Sequence, residues 1–311
     1  MSVTVDQAWV YRFHDQLLLT YQQEGSLLEK KLEPYMVHRD VSAAIDHFER
    51  LGNVIANDVI SPFGQTQILN PAHSRRAVTL QSSDAAVLIS DENTLRSMVQ
   101  PQNGYTMTIV RALGRRADKH ILSALLGSAT TAAVTSGSGV ITYGTQALPS
   151  SHKIGAATAM DLARIINANE LLSKASAPNG AGERTFLFSP GQLRDILAIT
   201  QASSSDFTKN QIHDKGTING VQWEGFDWVE IPDVVDPSIT TLQTMLALAS
   251  TTRSCIAYAR SAVGLAVGRD ITTKINERAD LNNSLQVRSI MMMASVRVWE
   301  GGVVQVDALE N

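Results

Sequence analysis

The sequence predicts an α+β fold of two lobes, and three observations carry that prediction. Residues 103–127 repeat apolar side chains at helical spacing over a long uninterrupted run. From Ile290, every second residue is apolar through Met292, Ala294, Val296 and Val298, the period of a half-buried strand. Between these two segments, from about 158 to 258, helical and strand-like stretches alternate. That alternation reads as a mixed α/β lobe inserted into the first lobe.

Taken in order, residues 7–33 space Trp9, Phe13, Leu17, Tyr21, Leu27, Leu28 and Leu32 as on a helix, with Gly25-Ser26 interrupting and Pro34 stopping it. Its apolar stripe fits either an arm docked on a neighbour or an ordinary helix packed at home. From Asn53 to Ser90 the helical pattern is lost, and short apolar runs alternate with Asn57-Asp58, Ser61-Pro-Phe-Gly64 and Asn70-Pro71. The simplest reading is a two-stranded excursion, which is marginal in water unless it lies on something. A short helix at 91–99 leads to the clearest one, whose stripe is Ile109, Val110, Leu113, Ala117, Ile121, Leu122 and Leu125, ending at Gly127. Arg111, Arg115, Arg116, Asp118 and Lys119 read as its solvated face.

Ser128–Gly139, rich in small residues, reads as a loop or linker between the lobes. A second helix follows over 158–176, with Leu162, Ile165, Ile166, Leu171 and Leu172 inside. Thr185–Phe188 is a short buried strand, 191–200 a third helix, and 203–216 an exposed polar loop. Val221–Ile231 is strand-like, with Trp223 and Trp228 available for packing; Thr241–Ala249 looks helical, and Ser254–Tyr258 leads into a strand. At the end, Gly301-Gly302 suits a tight hairpin turn, with Val303, Val304 and Val306 as the return strand.

Composition bounds the function. The chain has 311 residues, 44% of them hydrophobic but only 5% aromatic, so its core is built from aliphatic side chains and methionine. A net charge of −4, with both signs mixed along the chain, argues against a dedicated nucleic-acid binder. The single cysteine, Cys255, forms no intrachain disulfide and no zinc site of the usual kind, which suits synthesis in a reducing cytoplasm. The first residues, Met1-Ser-Val-Thr-Val-Asp, have no signal-peptide pattern, and nowhere do about eighteen apolar residues run together. The protein is therefore expected to be soluble when made, without a membrane partner.

No motif points to catalysis. Ser136-Gly-Ser-Gly139 and Gly180-Ala-Gly182 complete neither a dinucleotide nor a P-loop pattern, and no Gly-x-Ser-x-Gly elbow occurs. The seven histidines are scattered without a second ligand at i+3 or i+4, and His120 reads as a polar-face residue rather than a general base. The pairs Asp46/Glu49 and Asp233/Asp236 sit in ordinary polar or turn contexts. The expectation is a protein without catalytic residues, cofactor or metal. Arg75 and Arg76 stand out instead: on a projecting ribbon, adjacent arginines suit bidentate contacts to a partner's carboxylates, or form a solvated loop tip.

The order of elements, together with several short words, resembles the Hong Kong 97-type major capsid proteins of tailed bacteriophages, the short-tailed T-odd phages giving the nearest echo. Val87-Leu-Ile-Ser-Asp91 and Leu113-Gly-Arg-Arg-Ala-Asp118, running on to Leu125, resemble the approach to and body of that family's spine helix. Tyr258-Ala-Arg-Ser-Ala-Val-Gly264, followed by Arg269-Asp270, resembles its crossing from axial to peripheral domain. The resemblance implies an N-terminal arm at 1–50, an extended E-loop at 51–90 and a peripheral domain with spine helix at 91–127. An axial domain at 128–264 and a return to the peripheral β-sheet at 265–311 complete the implied division.

The implied function is structural: self-assembly into hexamers and pentamers of an icosahedral head around double-stranded DNA, held without sequence specificity. A separate scaffolding protein and a portal are the implied further partners, with assembly in the host cytoplasm and residence in the virion. Trp9, Phe13, Leu17, Arg75 and Arg76 are the implied inter-subunit contacts. No lysine lies between Lys31 and Lys119, so lysine–asparagine crosslinking through the E-loop is not expected. The alternative is an encapsulin-type nanocompartment shell, which shares the fold but encloses protein cargo.

Overall fold

The computed structural model describes residues 23–32, 36–58, 65–66, 68–89, 102–134, 140–155, 158–199, 217–236, 241–243 and 246–310. The first elements are α1 (Glu29–Leu32), β1 (Val37–His38), β2 (Ile45–Leu51), β3 (His73–Thr79), β4 (Gln81–Ile89) and the long α2 (Gln102–Leu126). Next come β5 (Ala129–Val134), β6 (Ile141–Gln146), β7 (Lys153–Ile154), α3 (Leu162–Lys174), β8 (Arg184–Phe188) and α4 (Pro190–Leu197). Then follow β9 (Gln222–Trp223), β10 (Phe226–Glu230), β11 (Val234–Asp236), β12 (Thr241–Gln243) and β13 (Leu248–Ala249). The chain closes with β14 (Thr252–Ala259), β15 (Val263–Arg278), β16 (Ser284–Arg297) and β17 (Val303–Leu309). The class is α+β, as predicted.

Two sheets are built on one long antiparallel ribbon. In the seven-stranded sheet β14 pairs with β17, from Thr252 opposite Leu309 to Tyr258 opposite Val303. In a four-stranded sheet, ordered β1-β15-β16-β4, the same two chain segments pair again from Val263 opposite Arg297 onward. Between the ladders both strands cross as single 3-10 turns, Arg260–Ala262 and Glu300–Gly302. The expected hairpin at Gly301-Gly302 is therefore corrected: β17 does not return along β16 but continues into the other sheet. Neither glycine has a positive φ. They are needed for closeness, since a Cβ on Gly301 would stand 2.8 Å from that of Ala175, and one on Gly302 would collide with Ala262.

The long helix α2 packs across β15, β16 and β4. Leu113, Ala117, Ile121, Leu122 and Leu125 are buried on it, as the stripe predicts, in one core with Met291, Met293, Leu265 and Val267, and Ile109 is buried in a separate cluster with Ile89 and Val287. Each such aliphatic side chain contributes about 1.5–3 kcal/mol on full burial. The expected face of β16 is a packed one, with Met292 against a buried cluster and Ile290 half-buried, but the opposite parity is buried too: Val287, Ser289, Met291 and Met293 lie on the helix side. Ala294, Val296 and Val298 are also buried, in a separate cluster with Phe48, Val78 and Leu80. Around Met293 the strand is covered on both faces, so side chains of both parities are buried there.

That second cover is a four-stranded sheet ordered β2-β3-β5-β6. The excursion is thus neither isolated nor confined to 53–90. Its outgoing strand β2 starts at Ile45 and pairs with β3, and β3 pairs in turn with β5. β4, after the ribbon, already lies against β16 in the helix-covered sheet. The linker expected at 128–139 is corrected over its first half, because Ala129–Val134 is the strand that pairs β3 with β6. Small residues there permit close packing as readily as they permit a loop.

The seven-stranded sheet carries the remaining helices. α3 starts at the N-cap Asp161, whose side chain accepts from the Arg164 amide at 2.8 Å, and buries Ile165, Ala168 and Leu172. Ile166, expected inside, is 48% exposed because it falls off that stripe. The predicted strand at 185–188 is buried throughout, and Trp228 stacks on Phe186 with ring centroids 4.5 Å apart. The helix expected over Thr241–Ala249 is corrected to strands β12 and β13, paired with β11 and β14. Of the helix predicted over 7–33, the part to residue 22 lies outside the described residues, as do the helix at 91–99 and the loop at 203–216, and the described part is helical only over Glu29–Leu32.

Candidate assembly site

The described segments 23–32 and 36–38 form a strap, and Asp118 of α2 is what holds its first part. Asp118 is 1% exposed, not solvated as its place on the charged face suggested. Its Oδ1 accepts from Ser26 Oγ at 2.5 Å and from the Leu28 amide at 3.1 Å. Its Oδ2 accepts from Gln23 Nε2 and from the Leu27 amide at 3.0 Å. One turn earlier the backbones touch: a Cβ on Gly114 would stand 2.6 Å from the carbonyl carbon of Gly25, which has φ +74. Burial pushes the Asp118 carboxyl above the usual carboxylate range, and the four donors only partly offset it. Leu28 and Leu32 are then fully buried in the core beneath α2.

A second polar cluster fastens the ribbon to the chain crossing. Arg76 is 0% exposed, and its Nη2 donates to Glu300 and, at 2.8 Å, to Gln146 Oε1. Arg50 donates to the Val298 carbonyl at 2.6 Å and to Glu300 at 3.1 Å, with its guanidinium 4.9 Å from the Trp299 ring centroid. Arg76 is therefore not a solvated loop tip, because it is buried and closes on Glu300 of its own chain. Its neighbour Arg75 points to the other face of β3 and pairs with Glu49 at 2.6 Å, with its side chain 38% exposed. A cleft of about 610 Å³ opens between them, lined by Glu49, Arg50, His73, Arg75 and Gln146.

Arg297, which sequence reasoning missed, caps the long helix. It is fully buried and donates to the carbonyls of Leu125 at 2.8 Å, Gly127 at 2.7 Å and Gln146 at 2.9 Å. A cation at a helix C-terminus also answers the macrodipole. The signal was present in the sequence: an arginine inside the apolar run Val296-Arg-Val298 is a charge in a place that burial otherwise forbids.

The most exposed of the large apolar residues are on the ribbon. Ile68 is 94% exposed, Ile55 85%, and Leu51, Val54 and Leu69 are exposed as well. Ile141 and Tyr143 are exposed on β6, an edge strand whose six residues all face solvent. Trp9, Phe13 and Leu17 lie outside the described residues. Among the described residues, no group of three His, Cys, Asp or Glu side chains is placed to hold a metal ion. Burial pushes the Cys255 thiol up to about 12, which leaves it protonated and unreactive. His120 is shifted down by burial and, secondarily, by the Arg116 charge. No described helix is long and apolar enough to cross a membrane.

A family model described as phage capsid protein matches residues 5–310. The fold is similar to the capsid structure of cyanophage P-SCSP1u, at 14% identity and a TM-score of 0.70, covering 100% of this chain and 96% of that one. It is similar to the capsid of Ralstonia phage GP4 at 12% identity and a TM-score of 0.68, with 100% and 98% covered. A structure from Mycobacterium phage Che8 matches at 16% identity and a TM-score of 0.65, covering 96% of each chain. No curated protein matches the chain.

Proposed function

The chain belongs to the phage capsid protein family, and from that premise we propose how its copies build the head shell that such a protein forms. Subunits assemble as hexamers and pentamers into an icosahedral shell around double-stranded DNA. The N-terminal arm over 1–50 and the loop of the ribbon lie across neighbouring subunits. Assembly proceeds in the host cytoplasm on a separate scaffolding protein, with a portal at one vertex. The packaged DNA is held weakly and without sequence specificity, which suits a chain of net charge −4. The protein works as a wall and not as an enzyme.

The observation that carries the neighbour-contact reading is the apolar surface of the ribbon loop. Ile55 and Ile68 have no core of their own to enter, and apolar side chains gathered on a projecting element mark an interaction surface. An obligate assembly supplies the missing burial. Arg75, half out of the surface, is the arginine available to a neighbour, whereas Arg76 is engaged at home.

Replacing Ile55 and Ile68 together by aspartate tests this reading. We expect subunit stability within about 0.5 kcal/mol of wild type, as for exposed substitutions generally, and loss of closed shells by sedimentation. Shells forming at wild-type yield would remove the loop from the interface. The match to phage capsid proteins along nearly the whole chain leaves no observation favouring a cargo-enclosing compartment.

A further inference from the structure

The two-stranded ribbon is thinnest where it passes between the sheets. From Tyr258 opposite Val303 to Val263 opposite Arg297 the regular ladder is broken, and each strand makes a 3-10 turn without a side-chain cap. Across the gap the amides of Val298 and Trp299 share one acceptor, the Ala262 carbonyl, at 2.8 and 3.2 Å. Two adjacent short turns at element ends are the geometry of a hinge, because a change of φ/ψ there rotates one sheet against the other.

One buried carboxylate bridges that hinge. Asp227 stands on β10 in the seven-stranded sheet and is 8% exposed. Its Oδ2 accepts from Arg260 Nη2 at 3.1 Å, and Arg260 is the first residue of the crossing turn. The same oxygen accepts from Lys31 Nζ at 2.5 Å. Lys31 belongs to α1 of the strap, whose preceding residues are bound to Asp118 on α2, while β1 further along the strap pairs with Leu265 and Ala266 of β15. A single carboxylate therefore joins the seven-stranded sheet, the crossing turn and a strap anchored on the helix-covered sheet.

We propose that Asp227, Lys31 and Arg260 form a latch that fixes the angle between the two sheets, engaged by the strap through Lys31. The inference goes beyond the shell reading and does not depend on it. Loss of Lys31 alone leaves Asp227 paired with Arg260, so the latch loosens without stranding a buried charge. Lys31 is also partly exposed, with 31% of its side chain accessible, so its replacement leaves the core intact.

Hydrogen–deuterium exchange of the full chain, in whatever assembly state it is purified, tests the latch on wild type, Lys31→Met, Lys31→Arg and Asp227→Asn. In Lys31→Met and Asp227→Asn, amides of 260–263, 298–303 and 27–32 should exchange about tenfold faster, while those of 254–258 and 304–308 keep their protection. Lys31→Arg should retain wild-type protection at the hinge. Unchanged hinge exchange in Lys31→Met, or acceleration spread equally over the sheet cores, would overturn the proposal. If Asp227→Asn does not fold, the lysine variants decide the question alone.

Discussion

Arg76 is wholly buried against Glu300 and Gln146, whereas Arg75, one residue earlier, is well exposed and reaches only Glu49. Neighbours on a strand point to opposite faces, so a sequence reading that treats the pair as one feature conflates two environments. Arg76→Ala takes one of the two arginines from Glu300, which keeps Arg50, and the donor from Gln146, and should cost about 1–3 kcal/mol of subunit stability in denaturant unfolding. Arg75→Ala should cost about 1 kcal/mol or less and act, if anywhere, on shell stability. Asp118 adds a pH signature. Because burial raises its folded-state pKa, the native state binds a proton that the unfolded state has already lost between the ordinary value and the raised one. Its contribution is thus fullest at low pH and declines as pH rises through that window. Relative to Asp118→Asn, wild type should gain stability as pH falls; a difference that stays flat, measured by unfolding from pH 7 downward, would count against a buried, titrating carboxyl at this position.

The long helix is the element the sequence made most legible, because its stripe is uninterrupted and the core that receives it is aliphatic throughout. Its two polar fastenings were not read from the sequence, although Arg297 carried a signal there. Asp118 sits among four other charged residues, and only its spacing of four from Gly114, on the flank of the stripe, hinted that a chain lies there. Arg297 is worth a direct test. Arg297→Met fits the space roughly but leaves the carbonyls of Leu125, Gly127 and Gln146 without their donor, and at about 1–3 kcal/mol for each unsatisfied group the loss should reach at least about 3 kcal/mol. A shift of the denaturant midpoint with unchanged slope would register it. Misread elements share one physical cause. Gly301-Gly302, Ala129–Val134 and Thr241–Ala249 were assigned from local chemistry, but each is decided by what lies beside it: Ala262 and Ala175, β3, and β14. Glycine marks close approach as well as turns, and apolar residues spaced like a helix also fit an edge strand when a partner is present.

At the scale of the whole molecule, the order of elements carried more information than any motif. Each short word resembling the capsid family is degenerate, yet their sequence along the chain agrees with a family match over 5–310 and with a fold shared at 12–16% identity. Such divergence leaves few side chains in common, so what persists is architecture: a long helix across a sheet, a ribbon leaving it, and a second sheet reached by two crossing strands. The surfaces proposed for neighbours show only as unburied apolar residues, since a single chain does not contain the partner that would complete them. Negative-stain electron microscopy of the purified protein, expressed alone and then with its neighbouring genes, tests the central claim most directly. The account predicts closed angular particles of uniform size, or tubes of the same subunit. A monodisperse monomer or dimer under both conditions would contradict it.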